Sequence, residues 1–171
     1  MTTIEQTTLT GEHTDLLEAL GKHRFFLRFT VQGLTDEQAA LTPTASALSL
    51  GGLIKHVTRA ESGWYDFVVG GAEAHSGQDI EGHLSSFRME PGETLAGLLA
   101  DYEAVAARTD ELIASGVDLG QSRPLPEAPW FPPNTRWSIR RVLTHVIAET
   151  AQHAGHADII RETIDGQKSM G

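Results

Sequence analysis

From about Trp137 to Ile164 apolar residues recur at helical spacing and Gly166 then closes the segment, so the chain commits itself to one long amphipathic helix near its C-terminal end. Such a helix must bury its apolar face against other elements, and three more segments carry the same period. Leu16, Leu20, His23, Leu27, Val31 and Leu34 mark a first helix over about residues 11–32. Leu53, Val57, Ala60, Trp64 and Phe67 mark a second, from near Ser49 to about Val69. Lys55, Thr58, Arg59, Ser62 and Asp66 occupy its opposite face, and Gly70 and Gly71 stop it. Leu95, Leu98, Tyr102, Val105, Thr109, Leu112 and Ile113 mark a third, ending near Ser115. The stretch from Thr35 to Gln38 has capping-box form and starts one short turn ahead of Pro43.

The connections are of a different kind. Residues 71–91 hold glycines, His75, His83 and no sustained period, which predicts a long surface loop. Residues 120–134 hold five prolines together with Trp130 and Phe131. Neither a helix interior nor a central strand accommodates them, so an extended crossing loop bearing aromatics is expected. Strand signals are nearly absent. The expected fold is all-α, a four-helix bundle with long crossing loops, formed as one domain by residues 1–171, a length sufficient for a single core.

The fourth segment carries an unusual polar stripe. His145, Glu149 and His153 are spaced by four and His156 follows three residues later, so all four fall within an arc of roughly 80°. Val142, Val146, Ile160 and Ile164 project into that arc or its edge, whereas Arg140, Arg141, Gln152 and Glu162 take the other side. The stripe therefore points at the core, where a carboxylate and imidazoles are costly unless paired. His56 lies on the apolar arc of the second segment and should point inward too. His56, Glu149 and His153 make a donor set suited to one divalent metal ion with an open coordination position. Spacing alone leaves a second reading, a hydrogen-bonded core network. His23 reads as a core or pocket-wall histidine, and His13, His75 and His83 have weaker claims on a site.

Composition excludes several classes. The formal charge of −10 opposes binding to phosphate backbones or anionic lipid heads, and no stretch approaches the length of a bilayer span. With no cysteine there is neither a disulfide nor a protein thiol, so any thiol chemistry must use a thiol supplied by a substrate. The N-terminal MTTIEQTTLTGEHT lacks the basic start and apolar run of a secretory signal, and a cytoplasmic location is expected.

Three segments carry a family resemblance: SLGGLIKHVTRAESGWYDFVVGG around His56, PGETLAGLLADYEA at the third helix, and RWSIRRVLTHVIAETAQHAGHADIIRETIDG over the fourth. Over nearly its whole length the chain resembles the DinB-like metal-dependent bundle superfamily, in particular its actinobacterial mycothiol S-transferases. That resemblance implies metal ligands at His56, Glu149 and His153, a divalent ion such as zinc, and mycothiol as co-substrate in a detoxification-type transfer to small electrophiles. Glu149 stands where many members have His, and this Glu resembles the mycothiol-dependent maleylpyruvate isomerases; AGHA follows His153 where many have His-Arg-Gly-Gln or a near relative. His145 and His156 then become candidates to orient a ligand or move a proton, and Arg136 and Trp137, with Trp130 and Phe131, candidates for the rim of the thiol site. A metal-dependent hydrolase or isomerase, and a non-catalytic metal-binding or small-ligand-binding module, are the competing readings. A homodimer is compatible with such a bundle, although no particular interface is marked.

Overall fold

The computed structural model describes residues 9–75, 80–129 and 131–169; Trp130 and the side chain of His83 lie outside the described part. Four long helices, α1 (Gly11–Phe29), α3 (Leu50–Gly70), α6 (Leu95–Ala114) and α7 (Ile139–Asp165), form the bundle. Between them lie the short helices α2 (Asp36–Ala40), α4 (Ala72–His75) and α5 (Ile80–Ser85) and the strands β1 (Ser122–Pro124) and β2 (Arg136–Ser138).

Each long helix starts where a hydroxyl side chain can take an unsatisfied backbone N–H. Thr10, Ser49, Thr94 and Ser138 cap α1, α3, α6 and α7, and both Thr10 and Thr35 form reciprocal capping boxes. Helix α7 ends on Gly166, whose φ of 80° is the left-handed conformation that glycine adopts without steric cost.

Cross-helix contacts fix the topology. Arg140 meets Glu12 at the start of α1, and Arg161 donates to the carbonyls of Thr30 and Gln32 just past its end, so α1 and α7 run parallel. Lys55 meets Glu93 and Ser62 meets Arg108, so α3 and α6 also run parallel. Arg28 meets Glu103 and Arg24 meets Asp110, which sets α1 against α6. The order is therefore up, down, down, up, and only the connection from α3 to α6 must return along the full length of the bundle.

That connection alters the surface pattern of α3. Lys55, expected on the polar face, is buried, because residues 86–93 lie over the first turns and take its ammonium on the Arg88 carbonyl at 3.3 Å and on Glu93 at 2.9 Å. Leu50 to Val57 are consequently buried all round. The expected loop over 71–91 also contains the short helices α4 and α5.

The proline-rich connection is not wholly irregular either: β1 and β2 pair antiparallel, with Arg123 opposite Trp137. Residues Arg136 to Ser138 thus belong to a strand, and α7 starts two residues later than its apolar period suggests. The N–H groups of Ile139 and Arg140 donate to the carbonyls of Gln121 and Leu119, so the incoming segment supplies acceptors for the first turn of α7. Similarly α1 ends at Phe29, short of the expected residue 32, in a turn through Gly33 at φ 73°.

The apolar core divides into two clusters. Leu27, Leu50, Leu53, Ile54, Leu98, Ala157 and Ile160 form one, and Leu20, Phe67, Ile113, Val142, Leu143 and Val146 the other. Buried polar groups lie at the level between them: Arg24, Glu61, Thr109, Thr150 and His153. Among the described residues no helix is long and apolar enough to cross a membrane.

Candidate metal centre

Helices α3 and α7 run antiparallel, which brings the second turn of one against the middle of the other. His56 enters from α3, and Glu149 and His153, one turn apart, enter from α7. Their donor atoms all lie within 4.8 Å of one another. The Nε2 atoms of His56 and His153 are each 3.3 Å from Oε1 of Glu149. Two donors bound tetrahedrally at about 2.1 Å lie roughly 3.4 Å apart, so both His–Glu separations suit one zinc-sized ion. Among the described residues no other group of three histidine or acidic side chains converges in this way.

Charge and access also suit a cation. Hydrogen bonds from His153 and then His56 hold the Glu149 carboxyl well below the usual carboxylate range despite partial burial, so the group is anionic near neutral pH. Its side chain retains 26% exposure, which leaves the cluster reachable from solvent. Two imidazoles and one carboxylate are a common catalytic donor set, because three protein ligands leave a position for substrate.

Each imidazole is held from behind. Nδ1 of His56 lies 2.9 Å from Oγ of the buried Ser86, and Phe87 stacks on the ring with centroids 4.0 Å apart. Nδ1 of His153 lies 3.3 Å from Nδ1 of His156. Both rings therefore turn Nε2 toward Glu149. His156 thus stands behind a ligand and not on the open side.

His145 lies one turn before Glu149, in an aromatic assembly. Its ring centroid is 5.1 Å from Trp64 and 5.3 Å from Trp137, which stack on each other at 4.9 Å, while His75 stacks on Trp64. Burial, partly opposed by Glu149, lowers the His145 pKa, so its imidazole is neutral near pH 7. Trp137 faces this assembly and also packs against Phe131. The adjacent strand residue Arg136 takes the other side, exposed, with its guanidinium on Ser122. Arg141 is the cation that reaches Trp137, at 4.4 Å from the ring. His13 serves elsewhere, joining Thr10 to the carbonyl of Val117.

Sequence spacing brings forward His56, Glu149, His153, His145 and His156, but not Ser86, Phe87 or Lys55. The first two lie on an aperiodic connection thirty residues from His56. The capped, glycine-bearing start of α3 was the available hint that another chain segment packs there.

The model of the mycothiol-S-transferase family matches residues 15–166, and the chain belongs to that family. Among solved structures, a conserved protein from Enterococcus faecalis superposes with a TM-score of 0.66 at 15% identity, over 90% of this chain and 97% of that one. At that identity the likeness concerns the fold, which is the DinB-like helical bundle. A comparison with curated proteins finds no match.

Proposed function

We propose that this protein is a divalent-metal-dependent thiol S-transferase that conjugates mycothiol to small electrophiles, with His56, Glu149 and His153 holding the ion. The observation that carries the reading is the convergence of those three donors within 4.8 Å in a chain of the mycothiol-S-transferase family. Zinc suits a donor set of two imidazole nitrogens and one carboxylate. A divalent cation bound there would supply the charge that ionises a coordinated thiol, which by itself has a pKa near 8.5 and is mostly protonated at neutral pH.

The chain's own residues account for the remaining requirements. No cysteine competes for the electrophile, so the nucleophilic sulfur is that of the co-substrate. The Glu149 carboxylate reduces the net charge of the centre, and His156 keeps the His153 ring in register. His145, neutral and one turn from Glu149, is the group suited to accept the thiol proton through an imidazole nitrogen. Trp137 and Arg141, backed by the buried Trp64, form the rim on that side, where an indole and one guanidinium can receive the organic part of either substrate. Arg136, already engaged on Ser122, contributes to the strand that presents Trp137. The unit is one domain of the cytoplasm, with small molecules as its partners.

The deciding experiment measures bound metal in the purified protein beside Glu149→Ala, then turnover of a generic electrophile such as 1-chloro-2,4-dinitrobenzene with and without mycothiol. Metal in the wild type alone, with turnover that needs the thiol, supports the transferase. Metal with thiol-independent turnover would make the protein a hydrolase or isomerase, and metal without turnover a binding module. Absence of tight metal binding after reconstitution would reduce the cluster to a hydrogen-bonded core network.

A further inference from the structure

We propose that Ser86, carried by the connection that crosses from α3 to α6, is a positioning residue of the metal centre whose hydroxyl reverses its hydrogen bond to His56 when the ion binds. The inference rests on the metal reading above and extends it to an element outside α3 and α7.

The crossing segment is laid against the start of α3 by several independent contacts. Ser49 Oγ donates to the carbonyl of Phe87 at 3.4 Å, and Lys55 Nζ donates to that of Arg88 at 3.3 Å. Gly52 forms the notch between them: a Cβ at that position would stand 1.9 Å from the Phe87 carbonyl oxygen and 2.2 Å from its carbon. Ser49, Gly52, Lys55 and His56 are thus one recognition strip on α3, and residues 86–88 are its counterpart. The result is a serine hydroxyl, 2% exposed, at 2.9 Å from Nδ1 of His56, with Phe87 stacked on the same ring.

The chemistry of the ring then decides what kind of partner is needed. Without an ion, Nε2 of His56 faces the Glu149 carboxylate, which can only accept, so the neutral ring carries its proton there and leaves Nδ1 an acceptor. With an ion on Nε2, the neutral imidazole carries its proton on Nδ1, which becomes a donor. A carbonyl behind the ring would suit only the second state and a backbone N–H only the first. A hydroxyl donates in one and accepts in the other, so His56 stays hydrogen-bonded and correctly rotated throughout. His156 behind His153 has the same property, since a neutral imidazole nitrogen can also serve either way.

The test compares wild type, Ser86→Ala and Ser86→Thr by competition of Zn²⁺ with a chromogenic chelator, alongside thermal unfolding of each chelator-treated protein. Removal of the partner behind a ligating histidine typically costs 10–100-fold in metal affinity. Ser86→Ala should show that loss without a comparable fall in its metal-free melting temperature, and Ser86→Thr, which restores the hydroxyl, should recover most of it. Zinc affinity in Ser86→Ala equal to that of the wild type would overturn the proposal, as would a loss accounted for by an equal fall in metal-free stability. A wild type that binds no zinc would instead overturn the metal reading itself, so the two failures are distinguishable. An independent readout is the imidazole ¹⁵N spectrum of His56, assigned with His56→Gln. The proton should sit on Nε2 in the chelated protein and on Nδ1 with zinc, and an unchanged tautomer would also overturn the reversal.

Discussion

His153 and His156, three residues apart on α7, face each other through their Nδ1 atoms at 3.3 Å, and this contact aims the Nε2 of His153 at Glu149. It separates two histidines that the sequence offers as equivalents. His156 lies behind a ligand, whereas His145 lies among the aromatic rings beside the cluster. His156→Ala is therefore expected to weaken Zn²⁺ binding by about 10–100-fold. His145→Ala should leave affinity near that of the wild type and lower thiol-dependent turnover, by on the order of 10²–10⁴ if it accepts the proton. Chelator competition and steady-state kinetics on both variants check this. The opposite pattern would exchange their roles.

Glu149 supplies the one anionic donor, and the Nε2 atoms of both histidines converge on its Oε1. Glu149→Gln keeps the shape and one oxygen but removes the charge that offsets a dication. Its metal content, by inductively coupled plasma mass spectrometry after dialysis, is expected to fall from about one ion per chain toward zero, and thiol-dependent turnover should fall with it. Full metal retention would show that the two histidines, with another group, suffice.

The extent to which this site is legible in the sequence follows from how each part is encoded. Period and spacing along one helix place Glu149 and His153 on a single face of α7, and the apolar arc of the second segment turns His56 inward. Those are local signals. The meeting of α3 with α7 is tertiary: two inward-facing halves suggest it, and the family resemblance is what favours a metal site there over a hydrogen-bonded core network in advance. Ser86 and Phe87 lie on a connection without periodicity, so no pattern marks them. Lys55 misleads for the same reason: its charge suggests solvent, yet the crossing segment supplies Glu93 and a carbonyl that satisfy it under cover. Trp137 reads as a helix start because the apolar period continues through it, while the pairing of Arg123 with Trp137 holds it in a strand.

Gly52 is where the crossing segment approaches α3 most closely. Gly52→Ala would place a methyl group inside the Phe87 carbonyl, so the segment has to move. Overpacking of this kind typically costs about 1–3 kcal/mol, readable as a lower urea midpoint with the slope unchanged. Because Ser86 and Phe87 move with the segment, zinc affinity should fall as well. Gly155→Ala, in the interior of α7 where an added Cβ meets nothing within 4 Å, is the matched control and should leave zinc affinity unaltered while raising stability by about 0.5–1 kcal/mol through helix propensity. A wild-type zinc affinity in Gly52→Ala would mean that the segment can shift without disturbing His56.

The polar layer between the two apolar clusters provides the last prediction. Arg24 and Glu61 form a two-point ion pair at 2% and 1% side-chain exposure, and Arg24 also donates to Asp110 at 2.7 Å. Burial works against the Arg24 charge, and Glu61 and Asp110 more than offset it, so the guanidinium stays ionised. Glu61→Ala leaves that charge in the core with only the half-exposed Asp110 to balance it. The expected cost is about 3–5 kcal/mol, measured by urea denaturation of the chelated protein. Asp110→Ala, which keeps the buried pair, should cost far less, about 0–1 kcal/mol. Replacing both buried partners by apolar residues, Arg24→Met with Glu61→Leu, removes the uncompensated charge, so the double variant should recover most or all of the loss. If it is as unstable as Glu61→Ala alone, the pair is needed for helix registry and not merely for its own charge balance, and zinc affinity in the double variant would then fall together with stability.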